Sequence, residues 1–465
     1  MRNDTLIASS FPVPETVSIY QIYPRNFTRE GTLAAAARHL PEIAAMGFSW
    51  VYLTPVQPSG SVGRKGSLGS PYAIADYRSL DTSLGMLADF DDFVGSAREA
   101  GLRVMLDVVY NHTAPDSVLA KTHPEWFLHD REGRLARKCE DWSDVVDLDF
   151  SSSHKLWNEL IDTLALWRNR GVDGFRCDVA SLVPVDFWLE ARKRVDPNRE
   201  MVWLAESVHP HFLKEMRARG FGGWSEPELH AAFDLTYDYD GWERLEPCWE
   251  KGSDCSPYFD YLFAQDTLYP KGARKIRYLE NHDQIRAAAR FGRGSALKTW
   301  TALHMFLPGC TFAYMGQELA LCEKPDLFDR DPIDRNSGDP AFREFFIGCF
   351  AATQAIKAKA PEFSWKRLAN GVYLFLREDA RKSVRYGLLA NMRANMRENT
   401  RTNIHVSAGA GARGHSPVGG RDRPAAVTVR LPFAFDGSNL LGTGRIEFGK
   451  SGILQPGVLL VELDA

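Results

Sequence analysis

Short apolar runs and longer amphipathic stretches take turns along the first three quarters of the chain. The runs are VSIYQIYP from Val17, WVYLTPV from Trp50, RVMLDVV from Arg103, VDGFRCD from Val172, MVWLAES from Met201, HAAFDLTY from His230, KIRYLEN from Lys275 and TFAYMGQ from Thr311. Their length and their Val, Ile, Tyr and Phe content predict buried β-strands. Stretches between them, such as TLAAAARHLPEIAAMG and KLWNELIDTLALWRNRG, repeat apolar residues three and four apart and close on glycine, which predicts helices with a defined stop. Eight strands alternating with helices predict an α/β fold, a (β/α)8 TIM barrel whose parallel sheet closes on itself.

The alternation fails in two places. Between Asn111 and about Ser152 a polar, tryptophan-containing excursion is too long for an ordinary connection and predicts a small subdomain inserted after the third strand. After about Pro361 the period becomes two, in GVYLFLRE, SVRYGLLANMR, AAVTVRLP, GRIEFG and GVLLVELDA, which predicts an appended antiparallel β domain. The expected division is 1–110 and 153–360 for the two parts of the barrel, 111–152 for the insert and 361–465 for the C-terminal domain. Within the last, SAGAGARGHSPVGGRDRP is rich in Gly, Ala and Arg and reads as a loop.

Composition narrows the partner more than the fold. The 465 residues carry 56 basic and 60 acidic side chains, a net charge of −4, with neither sign gathered into long runs. That excludes a nucleic-acid stripe and a membrane-binding patch and leaves a neutral small molecule as the expected partner. Cysteines at 139, 177, 248, 255, 310, 322 and 349 form no CxxC pair, so free thiols in a reducing compartment are expected. The start, MRNDTLIASSFPVPETV, lacks a basic-then-apolar signal region, and no run reaches the roughly 18 apolar residues of a membrane span. A cytoplasmic location is expected.

In a barrel of this kind the active site forms at the carboxyl ends of the strands. There the third strand offers Asp107, Asn111 and His112, the fourth Arg176 and Asp178, the fifth Glu206, and the seventh Asn281, His282, Asp283 and Arg286. Taken singly, an Arg-x-Asp more often marks a structural ion pair and an Asn-His-Asp a turn; it is their joint placement at four strand ends that points to catalysis. The chemistry suited to three convergent carboxylates is cleavage of a glycosidic bond. One attacks the anomeric carbon while another carboxyl protonates the departing oxygen. Side chains two apart share a strand face, so Arg176 is expected to hold Asp178 ionised, as attack requires. Glu206, facing negative neighbours in a partly desolvated pocket, is expected to retain its proton and act as the acid. Asp283, His112 and His282 would steady the positive charge that builds on the sugar ring and grip its hydroxyls.

DVVYNH, GFRCD, the Glu after VWLA, and ENHD stand in the order of the four signature blocks of the α-amylase family, which the chain resembles over nearly its whole length. SIYQIYPRNF, GFSWVYLTPV, SPYAIADY and GCTFAYMGQE extend the match. This resemblance, to α-amylases and oligo-α-glucosidases, implies a retaining glycoside hydrolase that cleaves α-1,4 or α-1,6 glucosidic bonds through a covalent glucosyl-Asp intermediate. It implies Asp178 as nucleophile, Glu206 as acid and base and Asp283 as third carboxylate. Arg176, His112 and His282 then surround the sugar, Tyr72 stacks on it, and Arg286 joins the binding set.

Two departures bear on substrate size. Ser181 and Leu182 replace the Lys-His pair of polymer-cutting members, and Gly69 stands where oligosaccharide-trimming members carry Asp. Both point to short α-gluco-oligosaccharides held near the cleavage point, with Trp126 and Trp142 as further stacking faces. Val179 matches the choice of α-1,6-cleaving relatives and equally suits strand packing, so the linkage stays open. The resemblance raises calcium at Asn111, but six to eight oxygens cannot be assembled from the sequence, so no cofactor is assigned. Open alternatives are an α-glucosyltransferase or a sucrose-type glucosidase or phosphorylase, in which a sugar hydroxyl or phosphate intercepts the same intermediate. Two others are disfavoured: a non-enzymatic relative by the three intact carboxylates, and a magnesium enzyme by Arg176 beside Asp178.

Overall fold

The computed structural model describes residues 13–251, 254–382 and 384–392 and the later segments 404–407, 427–430, 436–438, 445–447, 452–454 and 458–463. Ten strands come first: β1 (Ser18–Ile22), β2 (Trp50–Leu53), β3 (Arg103–Val109), the short β4 (His112–Thr113) and β5 (Val146–Asp147), β6 (Gly174–Asp178), β7 (Val202–Ala205), β8 (Leu235–Thr236), β9 (Arg274–Arg277) and β10 (Cys310–Tyr314). All but β4 and β5 close into one barrel in the order β1-β10-β9-β8-β7-β6-β3-β2, with parallel pairing throughout. Every residue of β1, β2, β6 and β10 is buried, as expected where helices cover the outside and side chains fill the inside. Gly174 opens β6 because a Cβ there would lie 2.5 Å from the carbonyl oxygen of Val202.

The sixth apolar run yields only the two residues of β8. A helix at Glu226–Leu229 carries its turn on through His230 and Ala232, whose N–H groups reach back to Glu226 and Leu229. Asp234 then accepts from the Trp203 N–H and from Arg192 and sets the start of the strand. In the insert, β4 and β5 pair antiparallel, His112 opposite Asp147 and Thr113 opposite Val146, which returns the excursion to the barrel mouth. Trp126 does not reach the mouth: it is buried in the main core, its ring stacked on His123 at 3.9 Å. The stacking expected of it is therefore corrected.

Beyond the barrel, β11 (Glu362–Ala369), β12 (Val372–Asp379), β13 (Val384–Asn391) and the strand Val458–Leu463 form an antiparallel sheet. It docks through the Phe375 ring, 4.7 Å from Phe259, and through Arg377, which donates to the Phe306 carbonyl and to Glu15. A smaller sheet of Val427–Arg430, Ile404–Ser407 and Gly452–Leu454 mixes one parallel with one antiparallel pairing. Residues 408–424 of the Gly, Ala and Arg-rich loop lie outside the described residues, as do residues 1–12. The expectation of free thiols fails at one pair, because Cys248 and Cys255 form a disulfide across a spacing that a search for CxxC overlooks. Cys139, Cys177, Cys310, Cys322 and Cys349 are free. No helix among the described residues is long and apolar enough to cross a membrane.

Candidate active site

Strand register assembles the site. In the β3–β6 pairing Asp107 lies beside Arg176 and Val109 beside Asp178, and in β6–β7 Cys177 lies beside Ala205. The Glu206 N–H continues that ladder, donating to the Cys177 carbonyl at 2.9 Å. Asp107 therefore arrives level with Arg176, and Asp178 level with Glu206 two residues further along, on three adjacent strands. Arg176, fully buried, is the hub: Nη1 donates to Asp107 Oδ1 and Asp178 Oδ1, both at 2.9 Å, and Nη2 lies 2.7 Å from Glu206 Oε1. The rings of Tyr72 and Tyr237 flank the guanidinium, each centroid 5.7 Å from its carbon.

One buried cation thus faces three carboxylates. Burial and the charge of Glu206 push the Asp178 carboxyl well above its ordinary range, and Arg176 opposes the shift without cancelling it. Burial lifts Asp107 to about 6 against the pull of the same guanidinium. Arg176 contacts Asp178 and favours its ionised form, and it shares its charge with Asp107 and Glu206.

Hydrogen bonds fix what each group offers the pocket. With Oδ1 of Asp178 held by Arg176, Oδ2 has no hydrogen bond among the described residues and lies 3.8 Å from His112 Nε2. The Asn111 amide donates to His112 Nδ1 at 3.1 Å, which leaves the ring proton on Nε2, toward Asp178. Likewise Gln21 donates to His282 Nδ1 at 2.8 Å, placing the proton on Nε2, 2.6 Å from the Tyr72 oxygen and 3.1 Å from Asp283 Oδ2. Burial, seconded by Arg176, lowers His282 to about 3, so the ring is neutral in any working buffer. Tyr72 passes its own O–H to Asp107 at 3.0 Å. Glu206 Oε2 accepts from the Val179 N–H at 2.9 Å, and Oε1 from the Tyr239 O–H at 3.3 Å. Val179 holds that N–H in place at φ 41°, ψ 40°, a left-handed conformation that costs a β-branched residue on the order of 1–3 kcal/mol.

These groups line a pocket of about 310 Å3 at the carboxyl ends of the strands, near the small end for a ligand site. Tyr72, His112, Asp178, Glu206, His282 and Asp283 face it, with Arg176 behind them and Trp142 standing over it from the insert. A separate cavity of about 350 Å3, lined by Glu15, Arg274, Pro308 and their neighbours, holds none of these carboxylates. Arg286 is not brought to the site. It is fully buried, with Nη1 on Glu280 at 2.7 Å and the Met315 carbonyl at 2.8 Å, and it ties the ends of β9 and β10 together; its assignment to substrate is corrected.

The structure adds residues that the sequence reading missed. Gln21 and the Tyr52 hydroxyl, which donates to Asp107, were legible as polar groups inside buried strand runs. Lys65 and Phe328, from loops far apart in the chain, carry no such signal; the Lys65 ammonium lies 3.0 Å from Asp144 of the insert. At Asn111 the donor set does not fit calcium. The buried Lys138 ammonium lies 2.7 Å from Asn111 Oδ1 and 3.7 Å from Asp147 Oδ2, taking up oxygens that a hard dication would need among its six to eight.

A family model described as "Alpha amylase, catalytic domain" matches residues 21–142 and 125–346. Among solved structures, an alpha-amylase from Lactobacillus plantarum aligns with a TM-score of 0.84 at 35% identity, covering 96% of this chain and 99% of that one. A noncanonic maltogenic alpha-amylase from Thermotoga neapolitana aligns at 0.79 and 29% identity, covering 97% and 99%. An alpha-1,4-glucan:maltose-1-phosphate maltosyltransferase of Mycolicibacterium smegmatis is 32% identical over 282 residues, 54% of this chain and 38% of that protein. The chain spans less than half the length of the curated relatives it matches. The matched span carries every strand of the barrel except the first residues of β1, together with all the carboxylates gathered on Arg176, and the chain belongs to the α-amylase family of carbohydrate-active enzymes.

Proposed function

We propose that the protein is a retaining hydrolase of α-glucosidic bonds in short α-gluco-oligosaccharides. The observation that carries this is the level placement of Asp178 and Glu206 on adjacent parallel strands, both drawn to one guanidinium. Such strands run about 4.8 Å apart. Two carboxyls so placed suit the roughly 5–5.5 Å of a retaining pair better than the roughly 6.5–9.5 Å that leaves room for a water. Asp178 Oδ2 attacks the anomeric carbon as the glycosidic bond breaks, and Glu206 gives its proton to the departing oxygen. Water then attacks the glucosyl-Asp ester, losing its proton to Glu206. The Nε2–H groups of His112 and His282 are placed to hold sugar hydroxyls beside Asp178 and Asp283.

Substrate size follows from the pocket and the two departures. Ser181 and Leu182 are buried, and Ser181 Oγ accepts from the Val208 N–H, so neither reaches toward an acceptor sugar. Gly69 sits at φ 81°, where an L-residue is strained, so the loop itself has no place for an Asp clamp. Maltotriose and panose are expected to exceed soluble starch in kcat/KM per reducing end. Starch ahead by tenfold, about 1.4 kcal/mol of transition-state binding, would establish distant subsites and overturn this.

A transferase is the second reading, favoured by the maltosyltransferase names of the curated relatives, the first of them at 32–36% identity. Phosphate release from maltose 1-phosphate with a glucan acceptor, faster than maltotriose hydrolysis, would replace hydrolysis by transfer. We further propose that Lys138 takes the structural place of a metal between barrel and insert. Chelation with EDTA is then expected to leave activity and melting temperature unchanged. Lys138→Met, which leaves Asp147 buried without its cation, should cost about 3–5 kcal/mol by chemical denaturation. A calcium requirement for stability would contradict it.

A further inference from the structure

After β7 and Glu206, the chain runs through Ser207, Val208 and His209 into the helix Pro210–Ala218, whose second residue is His211. The two histidine rings lie 5.5 Å apart and nearly parallel, and Glu243 of the neighbouring helix Tyr239–Lys251 reaches up to them. Glu243 Oε1 is 2.8 Å from His211 Nδ1 and 3.8 Å from His209 Nδ1, and one ligand atom from each of the three residues lies within 4.8 Å of the others. His209 Nδ1 is buried and has no hydrogen bond among the described residues. Tetrahedral zinc, with bonds of about 2.0–2.2 Å, sets its ligands roughly 3.3–3.5 Å apart. The two separations from Glu243, 2.8 and 3.8 Å, bracket that value, and the histidine ligand atoms lie within 4.8 Å of each other.

We propose that His209, His211 and Glu243 form a binding site for a borderline-soft divalent ion of the zinc class, with its fourth position open to water. Two imidazoles and a single carboxylate suit such ions and offer too few oxygens for calcium or magnesium. The site lies on the two segments that frame the catalytic acid. The His209 ring meets the Tyr239 ring edge-on at 4.7 Å, and the Tyr239 O–H donates to Glu206. Tyr239 and Glu243 stand one turn apart on the same helix face. A bound ion would staple the loop after Glu206 to that helix and hold Tyr239 over the acid as a positioning residue.

The test is calorimetric titration of tag-free, chelator-stripped full-length protein with Zn2+, alongside His211→Ala and Glu243→Gln, with Co2+ as the spectroscopic probe. The expected result is one saturable Zn2+ per chain, at least tenfold weaker binding in each variant, and a Co2+ spectrum without thiolate charge-transfer bands. Calcium added at the same concentrations is expected not to compete. Equal affinity in the parent and both variants, thiolate bands, or no saturable binding would overturn the proposal. Circular dichroism of the variants distinguishes a lost ligand from a lost fold, and an unfolded variant is replaced by His211→Gln.

Discussion

Asp178→Asn is expected to lower kcat by about 10⁴-fold or more on every α-glucoside the parent accepts, roughly 5.5 kcal/mol of lost transition-state stabilisation. The amide fills the same space and keeps an oxygen for Arg176, but it has no charged Oδ2 to bond the anomeric carbon. Stability should move the other way. Asp178 has its folded-state pKa raised by burial and by Glu206, so its contribution is greatest below the unfolded value near 4 and is lost as the pH rises through the folded value. The Asn variant escapes that loss, so at neutral pH it should be at least as stable as the parent, with the advantage vanishing below about pH 4. Glu206→Gln relieves the same repulsion and should move the acid limb of the glycosylation rate to lower pH. It should also keep the first step on an activated glucosyl fluoride, read as a burst of fluoride followed by slow turnover, while losing both steps on maltotriose. An Asp178→Asn enzyme with more than a hundredth of parental kcat would rule out Asp178 as the nucleophile.

Arg176→Met is expected to have the largest combined effect on fold and activity. It removes the guanidinium shared by Asp107, Asp178 and Glu206 and leaves three carboxyls in a buried cluster without it. Breaking a buried charge pair on one side costs about 3–5 kcal/mol, read as a fall in the denaturation midpoint. Activity should drop at least about 10³-fold, because Asp178 then ionises only at higher pH and Glu206 loses its anchor. Arg176→Lys should recover little, since one ammonium on a flexible stem cannot reproduce the two-Nη fork. Adding Asp107→Asn to Arg176→Met should restore part of the stability and none of the activity. Parental stability in Arg176→Met would mean that the cluster is held together by other contacts.

The barrel was legible because most strand runs are buried on both faces and therefore rich in apolar residues, which makes Asp107, Arg176 and Asp178 conspicuous where they interrupt them. The carboxylates were legible from the same runs, since Asp178 closes β6, Glu206 follows directly on β7, and Asp283 stands in the polar run beyond β9. What escaped depended on contacts between distant segments. Arg286 follows ENHDQ as a substrate contact would, yet Glu280 and the Met315 carbonyl, on two different strand ends, claim its guanidinium. Trp126 and Trp142 look alike in the insert, yet one is buried in the core and the other lines the pocket, a difference set by tertiary packing. Lys138 beside Asn111 and the join of Cys248 to Cys255 were hidden likewise, since neither has a local spacing that announces it.

Retention through Asp178 with Glu206 as the acid is tested most directly by NMR of the reducing end newly formed by cleavage of a maltotrioside whose own reducing end is blocked, before mutarotation. Attack from one face by Asp178 and then by water from the other returns the α configuration, and the α anomer should appear first and decay to the mutarotated mixture. A β anomer at that new reducing end at the earliest time point would mean a single displacement by water, and Asp178 would then be a base across a wider gap from Glu206 instead of a nucleophile beside it.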